Sequence, residues 1–343
     1  MSRAAAGGPV HVRAPGKINL FLRVGEAQPD GYHDVASAYQ AVSLYEEVRA
    51  HPSDAFSIAV EGDVDVSDVP LDDRNLAMRA ARMLAAETGE TRGVRLEVRK
   101  GVPVAGGMGG GSADAAAALV ACDALWGCGL PAARLHELAA RLGADVPFAL
   151  MGGTAVGTGR GDRLSPALAR GRYDWVLVPS ADGISTPEAY RTLDAQRSGA
   201  TPGIAPLVPA PEIDPDVLHA LVAASPGQLA ASIRNDLQAP AVALRPALAG
   251  VLAAGERLGA LAGIVSGSGP TVAFLVHDER AAVELHDRLR AEGLRALPVH
   301  GPVPGARIVD DDGPGRHGPV DHGPGRHGPG RHEAGDAART ART

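Results

Sequence analysis

Residues 103–118 read Pro-Val-Ala-Gly-Gly-Met-Gly-Gly-Gly-Ser-Ala-Asp-Ala-Ala-Ala-Ala, with five glycines in the six positions from Gly106 to Gly111 and alanine after them. Residues 94–98 alternate as a strand before this stretch, and the alanine-rich run reads as a helix starting near Ser112 and continuing to about Trp126. A strand, a bare loop and a helix N-terminus in succession let consecutive N–H groups point at one concave site. The positive end of the helix dipole adds to them, so phosphate oxygens bind without bulk positive charge. The loop is not a Walker loop, because no Gly-Lys-[Ser/Thr] closes it, and it lacks the Rossmann spacing with its ribose-binding acid. A flexible turn capped by Ser112 is the plainer alternative, but so many glycines are costly to order for a turn alone.

Outward from this loop, residues 75–87 read as a helix stopped by Gly89, and residues 131–143 place a proline in a first helical turn and a glycine just past the end. Toward the start, residues 11–13 and 18–24 read as strands around an Ala14-Pro15-Gly16 turn. Beyond Arg170, strands are expected at 175–178, 263–266 and 271–276, and helices at 215–224, 227–237, 246–258 and 279–292. The Pro- and Gly-rich residues 199–215 read as a loop. This mixture predicts an α+β fold in two lobes. From Gly313 to His332 the chain repeats in fives and can build no core, so disorder is expected there. The repeat histidines His317, His322, His327 and His332 have no fixed geometry, and the tract reads as a neutral expansion rather than a metal site.

The chain has 343 residues, 45% of them hydrophobic and 21% charged, which is ample for a buried core. No apolar run of about 18 residues and no signal peptide is legible, which points to the cytoplasm and away from membranes. A formal charge of -7 offers no general attraction for nucleic acid, so an anionic ligand needs a local positive site. Cys122 and Cys128 are too few for a disulfide framework or a structural zinc site.

Of 33 basic residues only Lys17 and Lys100 are lysine. In a chain that has drifted to arginine, a surviving lysine marks a position where a compact ammonium on a flexible stem is required. Phosphoryl transfer needs a cation for the charge on the moving group and a residue to orient or deprotonate the acceptor hydroxyl. Lys17, after the Ala-Pro-Gly turn, and Asp145, in Gly143-Ala-Asp-Val-Pro147, are the candidates, and if they meet each favours the other's charged form. Ser266-Gly-Ser-Gly-Pro270 is an adequate tight turn by itself, and with the first loop it could complete a phosphate-binding wall.

Pro-Gly-Lys-Ile-Asn-Leu at 15–20, the glycine loop into a helix, Gly-Ala-Asp-Val-Pro and the late Ser-Gly-Ser-Gly together resemble the GHMP small-molecule kinases over residues 12–299. Asp30-Gly31-Tyr32-His33 after the Lys17 strand, the Gly-Gly-Gly-Ser of the loop and Gly-Ala-Asp-Val-Pro narrow the resemblance to members that phosphorylate the 2-hydroxyl of a cytidine-diphosphate-linked methylerythritol in isoprenoid precursor synthesis. The resemblance implies a ribosomal S5 domain 2-like N-terminal lobe over 10–170, a ferredoxin-like α+β lobe over 171–308 and a tail over 309–343. It implies a direct in-line transfer, with Asp145 as the base and Lys17 holding it charged and stabilising the transferring phosphate. Asn19 matches a polar residue beside them, and Tyr32 and His33 match the cytidine pocket. Asn75 and Lys100 match positions near adenine. Pro103, Val104, Ala105, Gly106, Gly107, Met108, Gly109, Gly110, Gly111 and Ser112 make the ATP phosphate loop. ATP and Mg2+ are the implied cofactors, with magnesium held mainly by the triphosphate and no protein metal site. The implied partner is a small molecule, with no nucleic acid or membrane, and the protein is expected as a monomer or homodimer. Ala113 stands where the family often has a second serine, so one hydroxyl is missing from the loop. Another kinase of the same superfamily, or a non-catalytic ligand-binding relative, is the alternative.

Overall fold

The computed structural model describes residues 8–180, 182–199 and 208–309. The repeat tract with its four histidines, the rest of the 310–343 tail and part of the 199–215 loop lie outside the described residues.

The first half comprises strands β1 (Val10–Ala27), β2 (His33–Ser53) and β3 (Ser57–Gly62), helix α1 (Leu76–Thr88), β4 (Gly93–Lys100), helices α2 (Gly110–Trp126), α3 (Ala132–Leu142) and α4 (Val146–Met151), and strands β5 (Thr154–Thr158) and β6 (Arg163–Pro166). The second half comprises β7 (Tyr173–Val178), α5 (Thr186–Gly199), α6 (Pro215–Ala223), α7 (Pro226–Ser232), β8 (Arg234–Asn235), α8 (Gln238–Leu244), α9 (Ala247–Arg257), β9 (Ala262–Val265), β10 (Val272–Val276), α10 (Glu279–Ala291), β11 (Leu297–Gly301) and β12 (Arg307–Ile308). Helices and strands thus mix in both halves, as the sequence predicts.

Two sheets organise these elements. The larger runs β12-β1-β2-β4-β3, with β5 and β6 continuing from β2 and β8 beside β1, and the smaller runs β11-β7-β10-β9. The chain returns to the first sheet twice from its C-terminal half, through β8 parallel to β1 and β12 antiparallel to it. The described residues up to Val309 belong to one compact unit.

The expected turn at Ala14-Pro15-Gly16 is not a turn. β1 runs through it, and its register against β2 shifts between Pro15 and Gly16. A bulge accommodates a proline that has no N–H to give the ladder, which is why the punctuation read as a chain reversal. The helix expected at 227–237 also ends early, at Ser232, because the next residues pair as β8.

The cores follow from residue size. α2 is buried on all sides through Ala113, Ala115, Ala116, Ala117, Ala118, Leu119, Ala121 and Cys122, so it lies close against β1, β2 and α1. Across the large sheet, Ile18, Leu20 and Phe21 pack against Trp175, Leu177 and Leu275 of the second sheet. A third cluster joins Val176, Phe274 and Val276 to Leu248, Leu285 and Leu289.

Candidate active site

A cavity of about 750 Å³ opens where β1, the glycine loop, the start of α4, α5 and the Ser266–Pro270 turn converge. Every residue from Pro103 to Ser112 lines it except Met108, and so do Lys17, Asn19, Asn75, Lys100 and Asp145. Met108 is buried in the cluster between the sheets, so the loop's one large side chain anchors it there while the glycine backbone faces the cavity.

α2 begins at Gly110, earlier than the sequence predicts, and its N-cap is Gly109 at φ +71°, with no side-chain cap from Ser112. The left-handed backbone at Gly109 suits glycine, and it leaves the first helical N–H groups without a capping side chain. Gly107, at φ +75°, leaves no room for a side chain, since a Cβ there would lie 2.2 Å from the Ser266 carbonyl oxygen. The second glycine motif is therefore packed directly on the first. Ser266 Oγ donates to Gly107 O at 3.2 Å and Thr271 N–H donates to Gly106 O at 3.3 Å. Asn235, which the sequence reading missed, braces the turn by donating from Nδ2 to Val265 O and Gly267 O, each at 2.7 Å. Ala113, where a hydroxyl is missing, is buried in the core cluster of α2 and does not line the cavity.

Lys17 is only 7% exposed and donates from Nζ to Asn19 Oδ1 at 2.7 Å. Asn19 Nδ2 donates to Ser37 Oγ at 2.7 Å, and Ser37 donates to Phe21 O at 2.9 Å. Because the Ser37 proton goes to a carbonyl, its oxygen must accept from the Asn19 amide, which turns Oδ1 toward the lysine. Burial pushes the Lys17 ammonium below the ordinary lysine range, partly opposed by the charge of Asp145.

Asp145 stands at the N-cap of α4, yet its side chain caps nothing. It and Lys17 are not ion-paired; both approach Gly109, where a Cβ would lie 3.4 Å from Lys17 Cγ and 3.7 Å from Asp145 Oδ2. On the other side, a Cβ at Gly267 would lie 3.1 Å from Lys17 Nζ. An ammonium with one neutral partner and a carboxylate with no capping bond thus flank the glycine loop and the second turn.

Lys100 is held differently, between Glu46 Oε1 at 2.6 Å and Asp114 Oδ2 at 2.5 Å. Burial and the charge of Asp114 push the Glu46 carboxyl up to about 8, against the pull of Lys100. Burial raises Asp114 as well. Burial works against the Lys100 charge, but the two carboxylates outweigh it and hold the ammonium above its ordinary value. Sequence reading missed both acids. Asp114 left a signal as the lone acid in an alanine run, whereas Glu46 of the Glu46-Glu47 pair left none. Asn75 is also occupied: its Oδ1 accepts from Ala77 N–H at 2.9 Å as the α1 N-cap, and its Nδ2 donates to Pro70 O at 2.9 Å.

Tyr32 and His33 lie at the edge of this site, beside a smaller hollow that shares Arg160 with the main cavity. Tyr32 is 57% exposed, with the Arg160 guanidinium 4.0 Å above its ring. His33 is buried, its Nε2 2.9 Å from Asp194 Oδ1 and its ring 4.9 Å from that of Tyr190, which faces the main cavity. Neither Asp194 nor Tyr190 was legible as a site residue, being some 160 positions away along the chain.

Residues 75–153 match the model of the GHMP kinases N terminal domain and residues 217–294 that of the GHMP kinases C terminal domain. The 4-diphosphocytidyl-2-C-methyl-D-erythritol kinase of Leifsonia xyli subsp. xyli is 59% identical over 303 residues, which cover 88% of this chain and 99% of that protein. The chain belongs to the 4-diphosphocytidyl-2-C-methyl-D-erythritol kinase family. A crystal structure of 4-(cytidine 5'-diphospho)-2C-methyl-D-erythritol kinase is 31% identical with a TM-score of 0.69, covering 84% of this chain and 98% of that one. A homoserine kinase from Cytophaga hutchinsonii superposes with a TM-score of 0.67 at 17% identity, a likeness of fold alone. Membership in the 4-diphosphocytidyl-2-C-methyl-D-erythritol kinase family accounts for the two-lobed α+β architecture, the GHMP kinase fold. No helix among the described residues is long and apolar enough to cross a membrane.

Proposed function

We propose that the protein is a cytoplasmic kinase that transfers the γ-phosphoryl group of ATP to the 2-hydroxyl of 4-diphosphocytidyl-2-C-methyl-D-erythritol, giving the 2-phosphate and ADP. The observation that carries this reading is the convergence of a bare amide loop, a nearly unpartnered ammonium and an uncapped carboxylate on one cavity.

The amides of Gly106 to Gly111 and the N-terminus of α2 receive the phosphates, with Ser112 beside them. Lys17, already desolvated, holds the charge that spreads over the phosphoryl oxygens during transfer. Asp145 orients the acceptor hydroxyl and takes its proton as the oxygen forms its bond to phosphorus and the bond to the ADP oxygen breaks. Asn19, fixed by Ser37, keeps the ammonium pointed into the cavity. Tyr32, His33 and Tyr190 supply aromatic surface and a polar ring for the cytosine, and Asn75 and Lys100 border the adenine end.

Asp145, a cavity-lining carboxylate whose side chain makes no capping bond, fits a Mg2+ ion carried by the triphosphate and would be the residue facing it. When bound, the ion would supply positive charge against the phosphates, while Lys17 and Asp145 keep the roles given above. Turnover with ATP and the cytidyl alcohol, set beside mevalonate and homoserine, tests the assignment. Phosphorylation of the cytidyl alcohol alone is expected; activity confined to mevalonate or homoserine would overturn it.

A further inference from the structure

The mechanism above makes no use of Glu46, yet Glu46 is fully buried at the base of the phosphate loop. Its Oε2 accepts from Gly101 N–H at 2.9 Å, where β4 hands the chain to the loop. Its Oε1 lies 2.6 Å from the Lys100 ammonium, and a Cβ on Gly110, where the loop hands the chain to α2, would come within 2.6 Å of the same oxygen. Asp114, one turn into α2, holds the other side of Lys100 at 2.5 Å. One carboxylate therefore touches both ends of the loop, while the second glycine turn holds its middle at Gly106 and Gly107.

We infer that Glu46 is a positioning residue for nucleotide binding, acting through Gly101 and Lys100 to hold the glycine loop with its amides turned into the cavity. The inference rests on the reading of that loop as the nucleotide cradle. It assigns Lys100 a structural use as well: the ammonium cancels negative charge that would otherwise stand beneath the helix end where phosphates arrive. Loop amides act on phosphate only when they are already oriented, so a loosened loop weakens nucleotide binding. The acceptor hydroxyl is served by Asp145 from α4, which Glu46 does not touch. A role in general stability would instead shift both substrates alike or lower the amount of active enzyme.

The test is calorimetric titration of Mg·ADP into the full-length wild type, Glu46→Gln and Glu46→Ala, with steady-state KM for ATP and for the cytidyl alcohol. In Glu46→Ala, the ADP Kd and the KM for ATP rise about tenfold, the scale of a lost hydrogen bond to the Lys100 ammonium, while the KM for the alcohol stays within about twofold. Glu46→Gln keeps an acceptor for Gly101 and recovers part of the loss, leaving a rise of about threefold. Equal rises in both KM values, or an unchanged ADP Kd in a folded variant, would overturn the inference. If Glu46→Ala does not fold, Glu46→Gln decides alone on the same two readouts. A wild type that binds no Mg·ADP would instead overturn the cradle reading, and this inference with it.

Discussion

Lys17 and Lys100, the chain's only lysines, are both buried beside the glycine loop, but their surroundings differ in kind. Lys17 has one neutral hydrogen-bond partner, Asn19, and an acid across the loop that it does not pair with. Lys100 is clasped between two acid side chains, Glu46 and Asp114. A buried cation without an ion partner retains its desolvation cost, and such a site is completed by negative charge from outside. A cation between two acids is already satisfied, and its removal exposes them to each other. The two lysines thus stand in opposite kinds of site, one with a single neutral partner and one satisfied within the framework beneath the loop.

The largest effect expected from this contrast is on stability at position 100. Lys100→Met leaves Glu46 and Asp114 buried without their counter-ion and should cost about 3–5 kcal/mol in denaturant unfolding. Lys17→Met, which removes a cation that burial disfavours, should cost less than about 1 kcal/mol. Similar losses at the two positions would erase the distinction. The order reverses in turnover, where Lys17→Met should lower kcat about 10²- to 10³-fold, the scale of losing one electrostatic donor to the transition state. A folded Lys17→Met enzyme with wild-type kcat would remove Lys17 from the chemistry.

A third effect separates the two by pH. The Glu46 carboxyl is raised from its ordinary range to about 8 by burial and by Asp114, against the pull of Lys100. A raised acid contributes stability that is complete below about pH 4.5 and is lost as pH climbs through about 8. Glu46→Gln cannot lose that proton, so its stability relative to wild type should increase by about 4 kcal/mol between pH 5 and 9. Unfolding curves that run parallel across that range would show that Glu46 does not hold the proton.

The glycine-rich loop, the strand before it, the helix after it and the second glycine turn were legible because bare backbone and abrupt changes of period leave local marks. α1 was legible to within a residue of its caps, Asn75 and Gly89. β2 was not, because its interior residues are buried on both faces and show little alternation. Glu46 was invisible for a related reason. Beside Glu47 it reads as a solvated charge pair, but successive strand residues face opposite sides, so Glu47 meets Arg13 outside while Glu46 turns inward. The bracing by Asn235 and the His33–Asp194 contact join segments far apart in the chain, and no local pattern records such pairings.

In the proposed reaction an uncapped acid at the start of α4 serves the acceptor hydroxyl while the glycine loop holds the nucleotide. Measuring kcat and the Kd for Mg·ADP on one preparation of Asp145→Asn tests it most directly. The account predicts a kcat lowered about 10²-fold or more with the nucleotide Kd unchanged. An unchanged kcat would contradict it.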